Sequence, residues 1–198
     1  MKMNRMVIPA LAVGLMFSAG TRRAAAQETD KTAPSYDMKA QAALDLQDLQ
    51  KKFTSLAEAI PADKFTWRPG PGVRSIAEVY LHVATANYTI PAMIGVAVPE
   101  GFNKDTFATS TTDKAKIIDA LNQSFASAIA TVAKMSNADF AKPEKKLGPD
   151  ANDGDMVYLL VVHAHEHLGQ SIAYARMVGV VPPWTAEYEK KHPKQSKE

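Results

Sequence analysis

Residues 161–176 read VVHAHEHLGQSIAYAR and hold three of the chain's five histidines. On an α-helix His163 and His167, four residues apart, lie one above the other on a single face. Two imidazoles so arranged can share one metal ion, which is why the spacing recurs in zinc sites. His165 falls about 200° around the helix from His163 and cannot join them. Met156, Leu159 or Leu160, His163, His167, Gln170, Tyr174 and Val178 form one stripe, so the pair points inward with the apolar side chains. A helix is expected here over about 155–178, stopped by Gly179 and the Pro182-Pro183 pair.

Three more segments share this period. Ala42, Leu46, Leu49, Phe53, Leu56 and Ile60 recur at spacings of three and four and predict a first helix from about 36 until Pro61. The Pro- and Gly-rich stretch 64–72 then reads as a loop. Ser75 with Glu78 has the capping-box form and predicts a second helix carrying Ile76, Val79, Val83, Ala86 and Ile90, kinked or ended by Pro91. His82 lies on it, one turn after Glu78. Residues 97–109 are long enough for a crossover rather than a hairpin. Ser110, Thr111 and Thr112 offer caps for a third helix bearing Ile117, Ile118, Leu121, Phe125, Ile129, Val132 and Met135. Residues 136–154 read as a polar loop with one short turn near Phe140. Four helices, no strand pattern and no internal repeat give an all-α fold, a four-helix bundle.

Residues 1–26 read as a signal peptide: Lys2 and Arg5, an apolar run over 6–19, then Ala24-Ala25-Ala26 as a cleavage site. The run is short for a membrane span, so cleavage and export to the periplasm or medium are expected rather than anchoring. Residues 27–35 form a linker, 36–184 the bundle and 185–198 a polar tail. The leader holds four basic residues (Lys2, Arg5, Arg22, Arg23) and no acid. Its removal leaves 19 of the 23 basic residues against 21 acidic ones, a net charge of −2. A mildly acidic body without a basic block excludes a nucleic-acid role. The absence of cysteine excludes disulfides, thiolate ligands and a cysteine nucleophile.

His82, His163 and His167 together would offer three neutral nitrogens from two facing helices and leave a coordination position open, as in catalytic zinc sites. An ion there can bring the pKa of a bound water near 7. The plainer alternative is three histidines hydrogen-bonded in a core or a wet groove. His163 to His167 also fits the H-x-x-E-H pattern with Glu166 as base, but too little chain follows for the distant ligand such proteases need. Glu78 is either half of the cap or a hydrogen-bond partner of His82. Gln170 and Tyr174 either orient a ligand or bind substrate, or simply pack. Trp67 is a plug on the loop or a wall of the pocket. Arg176 suits a helix C-terminus. His165 and His192 read as surface residues.

Trp67-Arg68-Pro69, Ser75-x-x-Glu78-x-x-x-His82, His163-x-x-x-His167-x-Gly169-Gln170 and Tyr174-x-Arg176-x-x-Gly179-x-x-Pro182-Pro183 occur in that order. In this combination the chain, from about 36 to 184, resembles the DinB-like superfamily of four-helix bundles. The resemblance implies an up-up-down-down bundle with a long crossover between helices 2 and 3. It also implies a divalent metal held by three histidines, carried here to His82, His163 and His167. Characterised relatives include bacillithiol transferases and a mycothiol-dependent maleylpyruvate isomerase, in which the metal activates a small thiol. The leader sets this chain apart from such cytosolic relatives.

One functional reading is therefore a metal-dependent enzyme, a hydrolase or thiol-dependent transferase acting on a small molecule. The alternative is a non-catalytic metal- or small-ligand-binding bundle of the cell envelope. Zinc is the default ion for three imidazoles, with nickel, manganese or iron as the other choices. A homodimer is the common assembly for such chains.

Overall fold

The computed structural model describes residues 37–193. The expected leader, the linker, Tyr36 and the last five residues lie outside them. Among the described residues all extended regular structure is helical. No helix there is long and apolar enough to cross a membrane.

Helix α1 (Met38–Ala59) starts at Asp37, whose side chain accepts from the Ala40 N–H at 3.0 Å. It buries Ala42, Leu46, Leu49, Phe53 and Leu56, the expected stripe, and gives way to extended backbone at Ile60 just before Pro61. Helix α2 (Ile76–Ala92) begins with the expected capping box: the Ser75 N–H donates to Glu78 Oε2 at 2.6 Å, and the Glu78 N–H to Ser75 Oγ at 3.3 Å. The preceding loop completes the cap. The Ile76 and Ala77 N–H groups donate to the carbonyls of Trp67 and Phe65 at 3.0 and 2.9 Å, so donors that a helix start leaves unpaired are satisfied. Pro91 sits one residue inside the end of α2.

Helix α3 (Lys114–Lys134) is capped by Asp113, which accepts from the Lys116 N–H at 3.0 Å. The expected caps Ser110, Thr111 and Thr112 precede it. Thr111 instead accepts from the Asp113 N–H and shapes the turn before the cap. A single turn, α4 (Asn137–Phe140), stands where a short turn was expected. Helix α5 (Asp153–Met177) has an Asn152–Asp155 capping box. It ends with Gly179 at φ 83°, conformationally open only to a residue without Cβ strain. The Val180 and Gly179 N–H groups return to the carbonyls of Ala175 and Arg176, the Schellman closure. A nine-residue helix, α6 (Pro183–Lys191), none of whose residues is buried, runs from the last two residues of the expected bundle into the segment expected as a polar tail.

Helices α1 and α2 each pack against both α3 and α5. The core joins Phe53, Phe65, Tyr80 and Phe125, with ring centroids 5.6–6.1 Å apart along the chain of contacts. The direction of each helix follows from contacts along it. Lys39 Nζ reaches the Met135 carbonyl and Lys114 Nζ the Ile60 carbonyl, so α1 and α3 are antiparallel. Asn87 bonds Ser124, while Ile94 shares a cavity with Ser127 to Met135, so α2 and α3 run the same way. His82 meets His163 and His167, and Ile94 nears Asp153, so α5 opposes α2. The order is up-down-down-up, which corrects the up-up-down-down expectation. That arrangement would need full-length crossovers in the first and third connections. Here 60–75 and 135–152 return at the end they leave. Only 93–113, between the parallel α2 and α3, must travel the length of the bundle. It lies over α2, where Phe102 and Phe107 pack edge-on against Tyr88.

Candidate metal centre

Two helices deliver the three imidazoles. His82 lies two turns into α2, and His163 and His167 stack one turn apart on α5. All three are half-buried. Their ring centroids are 5.0 Å (His82–His163), 4.7 Å (His82–His167) and 4.5 Å (His163–His167) apart. One nitrogen from each ring can be chosen so that all lie within 4.8 Å of one another. Nε2 of His163 and Nε2 of His82 are 3.2 Å apart, a distance at which only one of them can carry a proton.

The electrostatics keep His82 and His163 neutral. Burial is the first cause pushing His82 down to about 4, with the Arg74 cation and the other two imidazoles adding to it. His163 is also pushed down to about 4, by burial first, then by His167 and Arg74, against an opposing pull from Glu166. A neutral imidazole presents a lone pair, which is the form that binds metal. The donor set fits a divalent ion. Two nitrogens bonded at 2.0–2.1 Å to one tetrahedral centre lie about 3.3–3.4 Å apart, close to the 3.2 Å between His82 and His163. No other His, Cys, Asp or Glu joins the cluster among the described residues.

The surrounding polar contacts are unequal. His167 Nδ1 lies 2.8 Å from Gln170 Oε1, and Gln170 Nε2 donates to the Tyr174 hydroxyl at 3.0 Å. The Tyr174 ring stands edge-on to Trp67 with centroids 5.4 Å apart. Gln170, Tyr174 and Trp67 thus form one line leading away from His167. Trp67 is half-buried and packs against the core. Nδ1 of His163, by contrast, is buried and has no hydrogen-bond partner among the described residues.

Glu78 does not reach His82. Its carboxylate accepts from the Ser75 N–H, which holds its pKa down, and from Arg68 Nη2 at 3.2 Å. The reason is register: the cap turns Glu78 back along the helix toward its start. Arg68 also donates to the Val73 carbonyl and so ties the loop to the first turn of α2. His165, Glu166 and His192 are exposed, and Leu160 rather than Leu159 is the buried member of the stripe.

Ser171 was not among the expected site residues. It is buried, and its hydroxyl donates to the His167 carbonyl at 2.7 Å. It continues the four-residue series of His163 and His167, a signal that the sequence does carry. The influence of Arg74 on two rings had no such signal, because it depends on how the loop before α2 lies over α5. A cavity of about 430 Å³ opens elsewhere, at the end of the bundle where Ile94, Thr131, Met135 and Asp153 meet.

The family model described as the DinB superfamily matches residues 45–171. Three solved structures share the fold. A DinB-like protein of Bacillus cereus ATCC 10987 is 16% identical, with a TM-score of 0.60 over 70% of this chain and 93% of its own. A conserved protein of Enterococcus faecalis is 14% identical, with a TM-score of 0.59 over 73% and 98%. YfiT of Bacillus subtilis, described as a probable metal-dependent hydrolase with an unusual four-helix bundle topology, is 13% identical, with a TM-score of 0.58 over 76% and 93%. No curated protein matches the chain significantly.

Proposed function

This chain belongs to the DinB superfamily, and on that premise we propose that it is a metal-dependent enzyme, a hydrolase or thiol-dependent transferase acting on a small molecule. The observation that carries the reading is the convergence of His82, His163 and His167 with no fourth His, Cys, Asp or Glu among the described residues. A site closed by four ligands serves structure, whereas three leave room for substrate. The description of YfiT as a probable metal-dependent hydrolase supports the same class.

His82, His163 and His167 would hold the ion through neutral nitrogens, so its double positive charge would not be offset by a carboxylate. Bound there, a divalent ion supplies Lewis acidity to a nucleophile or carbonyl placed beside it. Zinc suits three imidazoles best. The protein's own contribution is to keep His82 and His163 deprotonated and the rings oriented. Arg74 adds positive charge near the rings, which favours an anionic or electron-rich substrate group. The apolar leader supports export to the periplasm or medium.

Metal content, measured on protein purified without affinity tag or added metal, tests the reading. About one divalent ion per chain is expected, falling to background in His163→Ala. Equal metal content in the variant would remove the proposal. Esters, amides and small-thiol substrates offered to the loaded protein would then separate hydrolase from transferase.

A further inference from the structure

We propose that Gln170 is a positioning residue: its amide oxygen holds His167 in the tautomer protonated at Nδ1, leaving Nε2 as the lone-pair nitrogen for the cluster. The proposal rests on the reading of His167 as a metal ligand. It does not follow from that reading, since His163 serves the same cluster with its Nδ1 buried and unpartnered.

Three observations support it. The Gln170 oxygen lies 2.8 Å from His167 Nδ1, within hydrogen-bond range for an N–H donor. The amide nitrogen is engaged on its other side by the Tyr174 hydroxyl at 3.0 Å, so the amide is gripped at both ends. Tyr174 is itself buried, 7% exposed, and its ring is fixed edge-on against Trp67. The three positions 167, 170 and 174 are spaced three and four apart, so a single helix face supplies the whole line. An imidazole whose second nitrogen is tied to an acceptor keeps both its ring orientation and its tautomer.

The opposite state is well defined. Turning the amide by 180° would satisfy His167, Gln170 and Tyr174 equally well, with the amide donating to Nδ1 and the imidazole proton on Nε2. In that state His167 would offer the cluster a donor instead of a lone pair. The two arrangements are therefore distinguishable by where one proton sits.

Two-bond ¹H–¹⁵N correlation spectra of the metal-free full chain, at a pH of about 8, above the ordinary histidine range, read that proton directly. The expected pattern for His167 is a protonated Nδ1 and a lone-pair Nε2. Gln170→Leu should give a mixture of tautomers, and Gln170→Glu, which keeps an acceptor oxygen, should restore the original pattern. Zinc affinity by chelator competition should fall about 10–100-fold in Gln170→Leu and recover in Gln170→Glu. A proton on Nε2 in the unaltered protein would overturn the proposal, as would Gln170→Leu leaving both tautomer and affinity unchanged. The expected tautomer in a protein that takes up no metal would uphold the lock and remove the ligand reading, so the two fail separately.

Discussion

Two of the four seams of this bundle, α1 with α3 and α2 with α5, are built from the same kind of helix and filled in opposite ways. Between α1 and α3 the interior is apolar: Leu46, Leu49, Phe53 and Leu56 on α1 and Ile117, Leu121, Phe125 and Val132 on α3 are all 0% exposed, and Phe53 meets Phe125. Polar contacts there stay at the rim, as where Gln50 and Thr54 meet Asn122. Between α2 and α5 the corresponding interior holds His82, His163 and His167, with Ser171 and an unpartnered imidazole nitrogen. A buried polar atom without a partner opposes folding. The first seam therefore supplies the stability that allows the second to hold groups folding alone would not select.

The comparison breaks if damage to one seam spreads to the other. The largest expected effect is on the apolar side. Phe53→Ala removes a ring that touches both Tyr80 and Phe125 and should cost about 3–5 kcal/mol in chemical denaturation. Metal bound per folded molecule should stay the same. His163→Leu should do the reverse. It removes a buried atom without a partner but also the 3.2 Å contact with His82, so the two effects offset and the metal-free protein should change by less than about 1 kcal/mol. The unaltered protein should gain about 2.7 kcal/mol from zinc at a hundred times the dissociation constant, and His163→Leu should gain nothing. A loss on His163→Leu without metal as large as that of a core truncation, about 3 kcal/mol or more, would mean that the histidines are part of the packing.

Acid should sharpen the contrast. In the folded chain His82 and His163 take up protons only near pH 4, whereas in the unfolded chain they do so near the ordinary value of about 6.5. Between those values the unfolded state binds more protons, so stability is fully present above about 6.5 and declines as pH falls toward 4. Bound metal should leave over the same window. Thermal unfolding from pH 7.5 to 4 should show this slope in the unaltered protein and a shallower one in His163→Leu. Equal slopes would show that other groups govern the acid limb.

The two seams also differ in how far the sequence discloses them. The α1 stripe reads directly, because one face is apolar and the other wet. Helix α2 is buried around most of its surface, since the 93–113 crossover lies over it, so periodicity marks the helix but not which face His82 takes. His163 and His167 were legible from spacing alone. That His82 joins them depends on the antiparallel pairing of α2 with α5, which the histidines do not encode. The up-up-down-down order was implied by the family resemblance, and helix periods offer no check on it, because they carry no direction. Residues 60–75 and 135–152 resemble crossovers in length, yet they spend their residues on a loop cap and on α4. The α6 helix was missed because its polar sequence lacks a buried stripe.

The smallest expected effect concerns how α2 and α3 begin. Asp113 supplies the side-chain cap of α3, so Asp113→Ala should cost about 1 kcal/mol and leave metal affinity unchanged. Ser75→Ala removes the corresponding acceptor from α2, but there the carbonyls of Phe65 and Trp67 already take two of the free N–H groups. Its cost should fall below that of Asp113→Ala in paired denaturation curves. His82 lies seven residues beyond the cap, about two turns along the helix, so fraying of the first turn should not move its ring. Zinc affinity in Ser75→Ala should thus stay within a factor of about two of the unaltered protein, less than the 10–100-fold expected where a ligand loses its orienting partner. A larger fall at unchanged stability would mean that the loop carrying Trp67 and Arg74 positions the histidines through the cap, and the metal seam would then begin at Ser75 rather than at His82.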